Sequence, residues 1–457
     1  MTTRRSFLAG ASAALVLGNI RAESGKSRPK IAALVTEYRK ISHAQRIVDR
    51  FLEGYGWESR HHRPAMDVVS LYVDQVPPND LSRERARRFP FLKIYPTIAE
   101  ALTRGGSKLS VDGVLLIGEH GKYPKNDKGQ TLYPRYEFFK QIVAVYRQSG
   151  RTAPVFNDKH LSWKWEWAKK MVDTAKEMGF VLMAGSSVPV TWRVPPVEMP
   201  LGAQVEEALS IGVGRVDSYD FHALEAIQCM VERRRGGETG VVALQALRGD
   251  SVWKAMKAGS WAAGGWDPAL FEACLCRSFT LNPGRAGYSH VYPTPDEIPR
   301  LVQDPVAYRY EYADGLKATM LLLNGLVSGD ITFAARLKGR REPLSTQMYL
   351  PGPIVGVTLS DFFNPLVHHI ENLFLNGRPP YPVERTLLTT GLTAAGVESL
   401  WQHQKRLETP HLAISFQPPQ ESTLTWFMWM RSAFSTPCQS VFSGTWTHSP
   451  SRLNRHP

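Results

Sequence analysis

The run Gly118-Glu119-His120-Gly121-Lys122-Tyr123-Pro124 sets a carboxylate beside an imidazole, directly after a nearly all-apolar stretch from Val111 to Ile117. If that stretch is a central parallel strand, Glu119 and His120 lie at its carboxyl end, where open α/β sheets hold their ligands. Both are candidates for contact with a cofactor or substrate, and a polar loop is the plainer alternative. A second strand pattern, Met66–Val73, runs into Asp74, which is placed to hold a ribose hydroxyl. Metal chemistry finds less support: His368-His369 and the distant His290 are not at ligand spacing, there is no C-x-x-C pair, and no structural metal is expected. Four cysteines are too few for a disulfide scaffold in 457 residues, which leaves room for one incidental disulfide at most. Trp163, Trp165 and Trp167 suggest a sugar-stacking surface, but alternate residues on a helix do not share a face. At most Trp163 and Trp167 do, and helix packing is the expected role.

The elements that must position these groups alternate through the first third of the chain. Lys30–Val35 reads as a buried strand, and Ser42-His43-Ala44-Gln45 as a capping box opening a helix. Helices over Pro96–Leu102 and Tyr136–Gln148 flank the strand at Val111–Gly118, and Ala153–Phe156 is a fourth strand. Ser162 is the expected cap of a helix in which Trp165, Ala168, Met171, Val172 and Ala175 recur at helical spacing, before a strand at Phe180–Gly185. Such alternation predicts a doubly wound parallel sheet. From about Gly240 the pattern turns to antiparallel strands at Val241–Leu247, Ala307–Tyr312, Leu316–Leu323 and Ile331–Leu337, then helices at Asn364–Leu375 and from Val383 to about Gln404.

One expected feature is missing. Residues 30–51, KIAALVTEYRKISHAQRIVDRF, have the outline of a dinucleotide-binding start, yet no glycine stands between Gly25 and Gly54. A glycine-rich turn lets backbone amides approach a pyrophosphate at the helix N-terminus. Here Thr36 and Glu37 open that turn, and side chains from Thr36 to Ser42 crowd the approach.

Lys plus Arg number 55 against 42 Asp plus Glu, a net +13. The basic residues are scattered, with no stripe of interleaved aromatics, so nucleic-acid binding is not expected. Thr3-Arg4-Arg5-Ser6-Phe7-Leu8 places a twin arginine before a short apolar stretch. That stretch is too short for a stable membrane span and reads as a twin-arginine export signal over 1–22, predicting a periplasmic or extracellular protein. The composition of residues 420–457 shifts to Ser, Thr, Trp and Phe, and an ill-ordered tail is expected there.

At Phe156-Asn157-Asp158-Lys159-His160-Leu161 the chain resembles the Gfo/Idh/MocA oxidoreductases, which carry Glu-Lys-Pro after a strand. Asp217-Ser218-Tyr219-Asp220-Phe221-His222-Ala223-Leu224-Glu225 is similar to the segment bearing that family's catalytic histidine. Gly377-Arg378-Pro379-Pro380-Tyr381-Pro382-Val383-Glu384-Arg385-Thr386 is similar to its C-terminal return helix. The resemblance spans roughly residues 29 to 419. It implies a Rossmann-like domain over 29–160, then an α+β domain over 161–419 with an open-faced, mainly antiparallel sheet, through which homo-oligomers can form.

The resemblance also implies NAD or NADP as cofactor, held by Thr36, Glu37, Asp74, Glu119, His120 and Asp158, and a sugar, glycoside or polyol as substrate. Lys159 matches the family's lysine and His222 its histidine. The family's aspartate, four residues before the histidine, is matched by Ser218; Asp217 and Asp220 lie one step and two steps off. In these roles His222 removes the hydroxyl proton, Lys159 stabilises charge on the alcohol oxygen, and Asp217 or Asp220 orients the imidazole. The alternative is a relative that has lost dinucleotide binding and binds sugars or performs a cofactor-free reaction. His160, in place of the family's proline, is expected to cap the following helix.

Overall fold

The computed structural model describes residues 27–285, 290–351 and 360–423. The twin-arginine segment, Cys438 and most of the 420–457 tail lie outside them.

Six strands form the first sheet, all parallel, in the order Lys93–Ile94, Asp67–Val73, Lys30–Val35, Gly113–Ile117, Val155–Asp158, Leu182–Gly185. The strands Lys30–Val35 and Gly113–Ile117 are buried almost throughout, which matches their continuous apolar composition. One face carries the helices Ile98–Thr103, Arg135–Ser149 and Trp165–Glu177. The other carries the helix His43–Glu53 and, from far along the chain, the helix Asn364–Asn376. That late helix sits so close that a Cβ on Gly113 would meet the Phe374 ring at 2.7 Å. The expected boundary at residue 160 therefore falls inside this unit, whose last strand ends at Gly185.

The caps follow the sequence closely at one helix and depart at another. Ser42 caps His43–Glu53 by accepting the Gln45 N–H at 3.1 Å, but the Gln45 side chain reaches back to the Ile41 N–H rather than closing the reciprocal box. The next expected cap, Ser162, lies two residues early: its Oγ accepts the Lys164 N–H, and the helix opens at Trp165. Trp163 and Trp167 meet edge to face at 4.9 Å, Trp167 stacks on Tyr136, and Trp165 packs into the core. These tryptophans do packing work.

The second sheet has eight strands in the order Leu407–Glu408, Val241–Arg248, Val306–Tyr312, Lys317–Leu322, Val205–Gly212, Ile331–Leu337, Leu344–Met348, Arg193–Val194. All pairings are antiparallel except Val205–Gly212 beside Lys317–Leu322. The helices Asp220–Val231 and Val383–Trp401 cover one face. On the other face, the helices Asp250–Ala258 and Pro268–Leu275 bury Leu209, Ile211, Leu321 and Ala334. A buried ion pair, Arg385 to both oxygens of Glu232 at 2.9 and 2.5 Å, clamps the two covering helices together. No helix among the described residues is long and apolar enough to cross a membrane. Cys229, Cys274 and Cys276 are unpaired.

Candidate functional site

His222 stands in the first turn of the helix Asp220–Val231, and its ring lines a cleft of about 540 Å³ between the two units. Its Nδ1 lies 3.0 Å from Ser186 Oγ and 3.3 Å from Glu225 Oε2, and Ser186 Oγ also donates to Glu225 Oε2. With the hydroxyl proton committed to the carboxylate, the ring proton belongs on Nδ1, which leaves the Nε2 lone pair to accept. Burial lowers the His222 pKa, so the imidazole is neutral in ordinary conditions. Glu225 is one turn along the same helix, and Ser186 follows the last strand of the first sheet. The unit is a base with its tautomer fixed from behind.

The aspartates expected to orient His222 do not reach it. Asp217 accepts from Gln130 Nε2 at 3.2 Å and from the Thr131 N–H at 3.0 Å. Asp220 accepts the N–H groups of Asp217, Ser218 and Phe221 and the Tyr308 hydroxyl. Both are loop and cap residues; Glu225, three places after His222, does the orienting. That i, i+3 spacing in Phe221-His222-Ala223-Leu224-Glu225 was the available signal.

Lys159 is buried and lies outside the cleft lining. Its backbone is left-handed, φ 65°, with its N–H on Gly185 O. Its Nζ donates to Glu119 Oε1 at 3.0 Å and to Ser218 O at 3.2 Å. Tyr219 stands between it and His222, with the ring 5.6 Å from Lys159 Nζ and 5.7 Å from the imidazole. Glu119 also takes Arg135 at 2.5 Å. Burial would raise the Glu119 pKa, but Lys159 and Arg135 outweigh it and hold the carboxyl well below its usual range. Burial likewise opposes the Lys159 charge, and Glu119 more than restores it. Lys159 is spent on an internal ion network.

Most of the other expected cofactor ligands are engaged too, while Asp158 Oδ1 and His120 Nδ1 are buried with no hydrogen-bond partner among the described residues. Thr36 Oγ1 donates to Glu119 O at 2.7 Å, Glu37 pairs with Arg39 at 2.8 Å, and Asp158 takes His43 Nδ1 at 2.7 Å. Asp74 accepts from Tyr72 and Tyr123 at 2.8 and 2.6 Å. Gln75 exchanges two hydrogen bonds with the Lys122 backbone. His120 packs against His43 at 5.3 Å, and burial and His43 lower its pKa to about 3. His160 caps nothing: it is buried against the Arg135 guanidinium and Phe221.

These contacts test whether a dinucleotide fits. The loop 118–124 is strapped from the end of Lys30–Val35 to the end of Asp67–Val73, across the trough a pyrophosphate and ribose would take. At the first helix, the N–H groups of Ile41, Ser42 and Gln45 already have intramolecular acceptors. Seven side chains, Thr36 to Ser42, occupy the turn that glycines would open. The turn that would face a pyrophosphate is thus built of side chains engaged with one another rather than of glycines.

Sequence reading missed Arg46 altogether. It lines the cleft, lies 5.3 Å from the Phe363 ring centroid, and has no carboxylate partner among the described residues. Burial lowers its pKa. Phe362, Phe363, Tyr219 and Tyr349 supply aromatic surface around it.

No protein-family model and no curated protein sequence matches the chain. Solved structures do. GenD2 from gentamicin A biosynthesis, in complex with NAD, is 13% identical with a TM-score of 0.50, covering 84% of this chain and 97% of its own. Myo-inositol dehydrogenase from Lactobacillus casei, in complex with NAD(H) and myo-inositol, is 11% identical with a TM-score of 0.49, covering 84% and 97%. At such identities the likeness is one of fold: the chain has the architecture of the Gfo/Idh/MocA-type oxidoreductases, as a distant relative in structure.

Proposed function

We propose that the protein acts on a hydroxylated small molecule of the sugar or polyol class, held in the cleft, with His222 as proton acceptor and without a resident nicotinamide dinucleotide. The observation that carries this reading is the Glu225–Ser186–His222 relay ending at a roomy cleft, while loop 118–124 is tied to Thr36, Asp74 and Gln75 at the strand ends. His222 Nε2 takes a proton from a hydroxyl or an activated carbon, and Glu225 stabilises the imidazolium that forms. Arg46 meets an acceptor-rich or anionic part of the ligand, and the aromatic walls meet its apolar faces. In a redox-neutral elimination the proton passes from carbon to His222 Nε2 and from the imidazolium to the departing hydroxyl, which leaves as water, so no electron acceptor is needed.

The second reading, hydride transfer from a sugar hydroxyl to NAD or NADP, is favoured by the fold alone. Titration of the purified protein with each dinucleotide separates the two. We expect no saturable binding up to millimolar concentration by calorimetry, and a 1:1 isotherm in the micromolar range would restore the dehydrogenase reading. For the base, His222→Asn keeps a donor near Ser186 but removes the acceptor at the cleft. Once a substrate is found by screening sugars and sugar acids, turnover should fall at least 100-fold in this variant, with ligand affinity changed only a few-fold. A variant that retains turnover would remove His222 from the chemistry.

Export stays part of the reading, supported by Arg4-Arg5 and the short apolar run that follows. Replacing both arginines by lysine should leave the precursor in the cytoplasmic fraction, where the unaltered chain is exported. Self-association through the second sheet is a further proposal, to be read from sedimentation velocity.

A further inference from the structure

The hairpin formed by Tyr55–Trp57 and Arg60–His62 packs on the helix Asn364–Asn376, and three groups converge where they meet. His62 comes from the hairpin; His368 and Glu371, three residues apart, come from one face of the helix. One donor atom from each lies within 4.8 Å of the other two. His62 Nε2 is 2.6 Å from Glu371 Oε2, and the other carboxylate oxygen accepts the Ala65 N–H at 2.7 Å. The Trp57 indole lies flat on the His368 ring, 4.4 Å between centroids and 21° between planes. Tyr55 meets the His62 ring edge to face at 5.2 Å. Each of the three groups is thus held in place by a neighbour that is not itself a donor to the cluster. Glu371 is buried, while both histidines keep a partly exposed side.

Two imidazoles and one carboxylate, with one side toward water, are the donor set of an open zinc-type centre. We propose that His62, His368 and Glu371 bind one divalent transition-metal ion of the zinc class, with water completing its shell. None of the three lines the cleft, so the site is separate from the one holding His222. Binding replaces the His62–Glu371 hydrogen bond: Nε2 gives up its proton while the neutral ring carries one on Nδ1, and the two donors part from 2.6 Å to the roughly 3.4 Å that tetrahedral bonds of about 2.1 Å subtend. The ordered carboxylate and stacked imidazole need only small shifts for this. An ion there ties the hairpin at the start of the chain to a helix near its end. It would therefore stabilise the folded state by mass action.

Sequence spacing pairs His368 with its neighbour His369 and does not reveal this cluster. His62 and Glu371 are 309 residues apart.

The test uses the full chain, stripped with a chelator and titrated with zinc and with cobalt. We expect one equivalent of zinc bound, a rise in melting temperature, and visible cobalt absorption of the intensity given by a four-coordinate site. His368→Ala and Glu371→Gln should each weaken zinc binding at least 100-fold; Glu371→Gln keeps an acceptor for the Ala65 N–H, so its fold is preserved. Two results would overturn the proposal. One is a melting temperature of the unaltered chain that ignores millimolar zinc. The other is stoichiometric binding that survives in both variants, which would leave His62–Glu371 as a hydrogen-bonded pair only.

Discussion

Glu119→Gln should lower the stability of the protein by roughly 3–5 kcal/mol, the usual result of removing one partner from a buried charge cluster. The carboxylate lies between Lys159 at 3.0 Å and Arg135 at 2.5 Å, with little access to water. Without it two cations face each other in a site of low polarisability, and Lys159 already sits on a left-handed backbone that it has little freedom to leave. For a chain of this size the loss corresponds to roughly 3–6 °C in Tm. Thermal unfolding by circular dichroism reads it directly. A loss below about 1 kcal/mol would mean that Glu119 is not a structural hub and is available to a ligand after all. Lys159→Met should be milder, because Arg135 remains to hold the carboxylate.

The second large effect is a pH dependence. Burial, with Asp220 nearby, raises the Asp217 pKa to about 7. In the unfolded chain the same carboxyl titrates near 4. Between those values the folded protein keeps a proton that the unfolded chain has released, so stability is greatest at the acid end and falls as pH rises. The slope is about 1.4 kcal/mol per pH unit, or about 4 kcal/mol over the window, and the contribution is gone above pH 7. Asn is close in shape to the protonated acid. Asp217→Asn gives up one accepted hydrogen bond at every pH and does not titrate, so its melting temperature relative to the unaltered protein should rise between pH 4.5 and pH 8. Parallel melting curves for the two proteins across that range would show that Asp217 is not protonated in the fold.

Much of the first sheet could be read directly. Ile31–Val35 and Val114–Ile117 are apolar at every position because both their faces are covered, and Ser42 does cap the helix that follows. The strand Val205–Gly212 was not legible. It begins Val-Glu-Glu, with charged residues at the polar end of the second sheet, and only Ala208 to Gly212 are buried. At the site, His222 was found from its surrounding motif and Glu225 could have been found from helical spacing. Ser186 could not, since it reaches His222 only through the packing of the first sheet's last strand against the helix Asp220–Val231. The same limit explains Glu119 and Asp74. Their residue types suit a ligand, but type alone does not reveal that Lys159, Arg135, Tyr72 and Tyr123 have already claimed them.

The helix Asn364–Asn376 has one more consequence, for the order in which the chain can fold. It supplies Leu366, Val367, Ile370, Leu373 and Phe374 to the cluster that covers Ile31, Ala33, Leu115 and Ile117. While a ribosome is still making the middle of the protein, that face of the earliest sheet has only the helix His43–Glu53 to cover it. The nascent N-terminal half thus emerges with a partly open apolar surface and needs protection until the helix Asn364–Asn376 has been made. A fragment ending after Gly185 would carry the same exposed face permanently and should aggregate rather than fold. Only a polypeptide extended past Asn376 can close its first half.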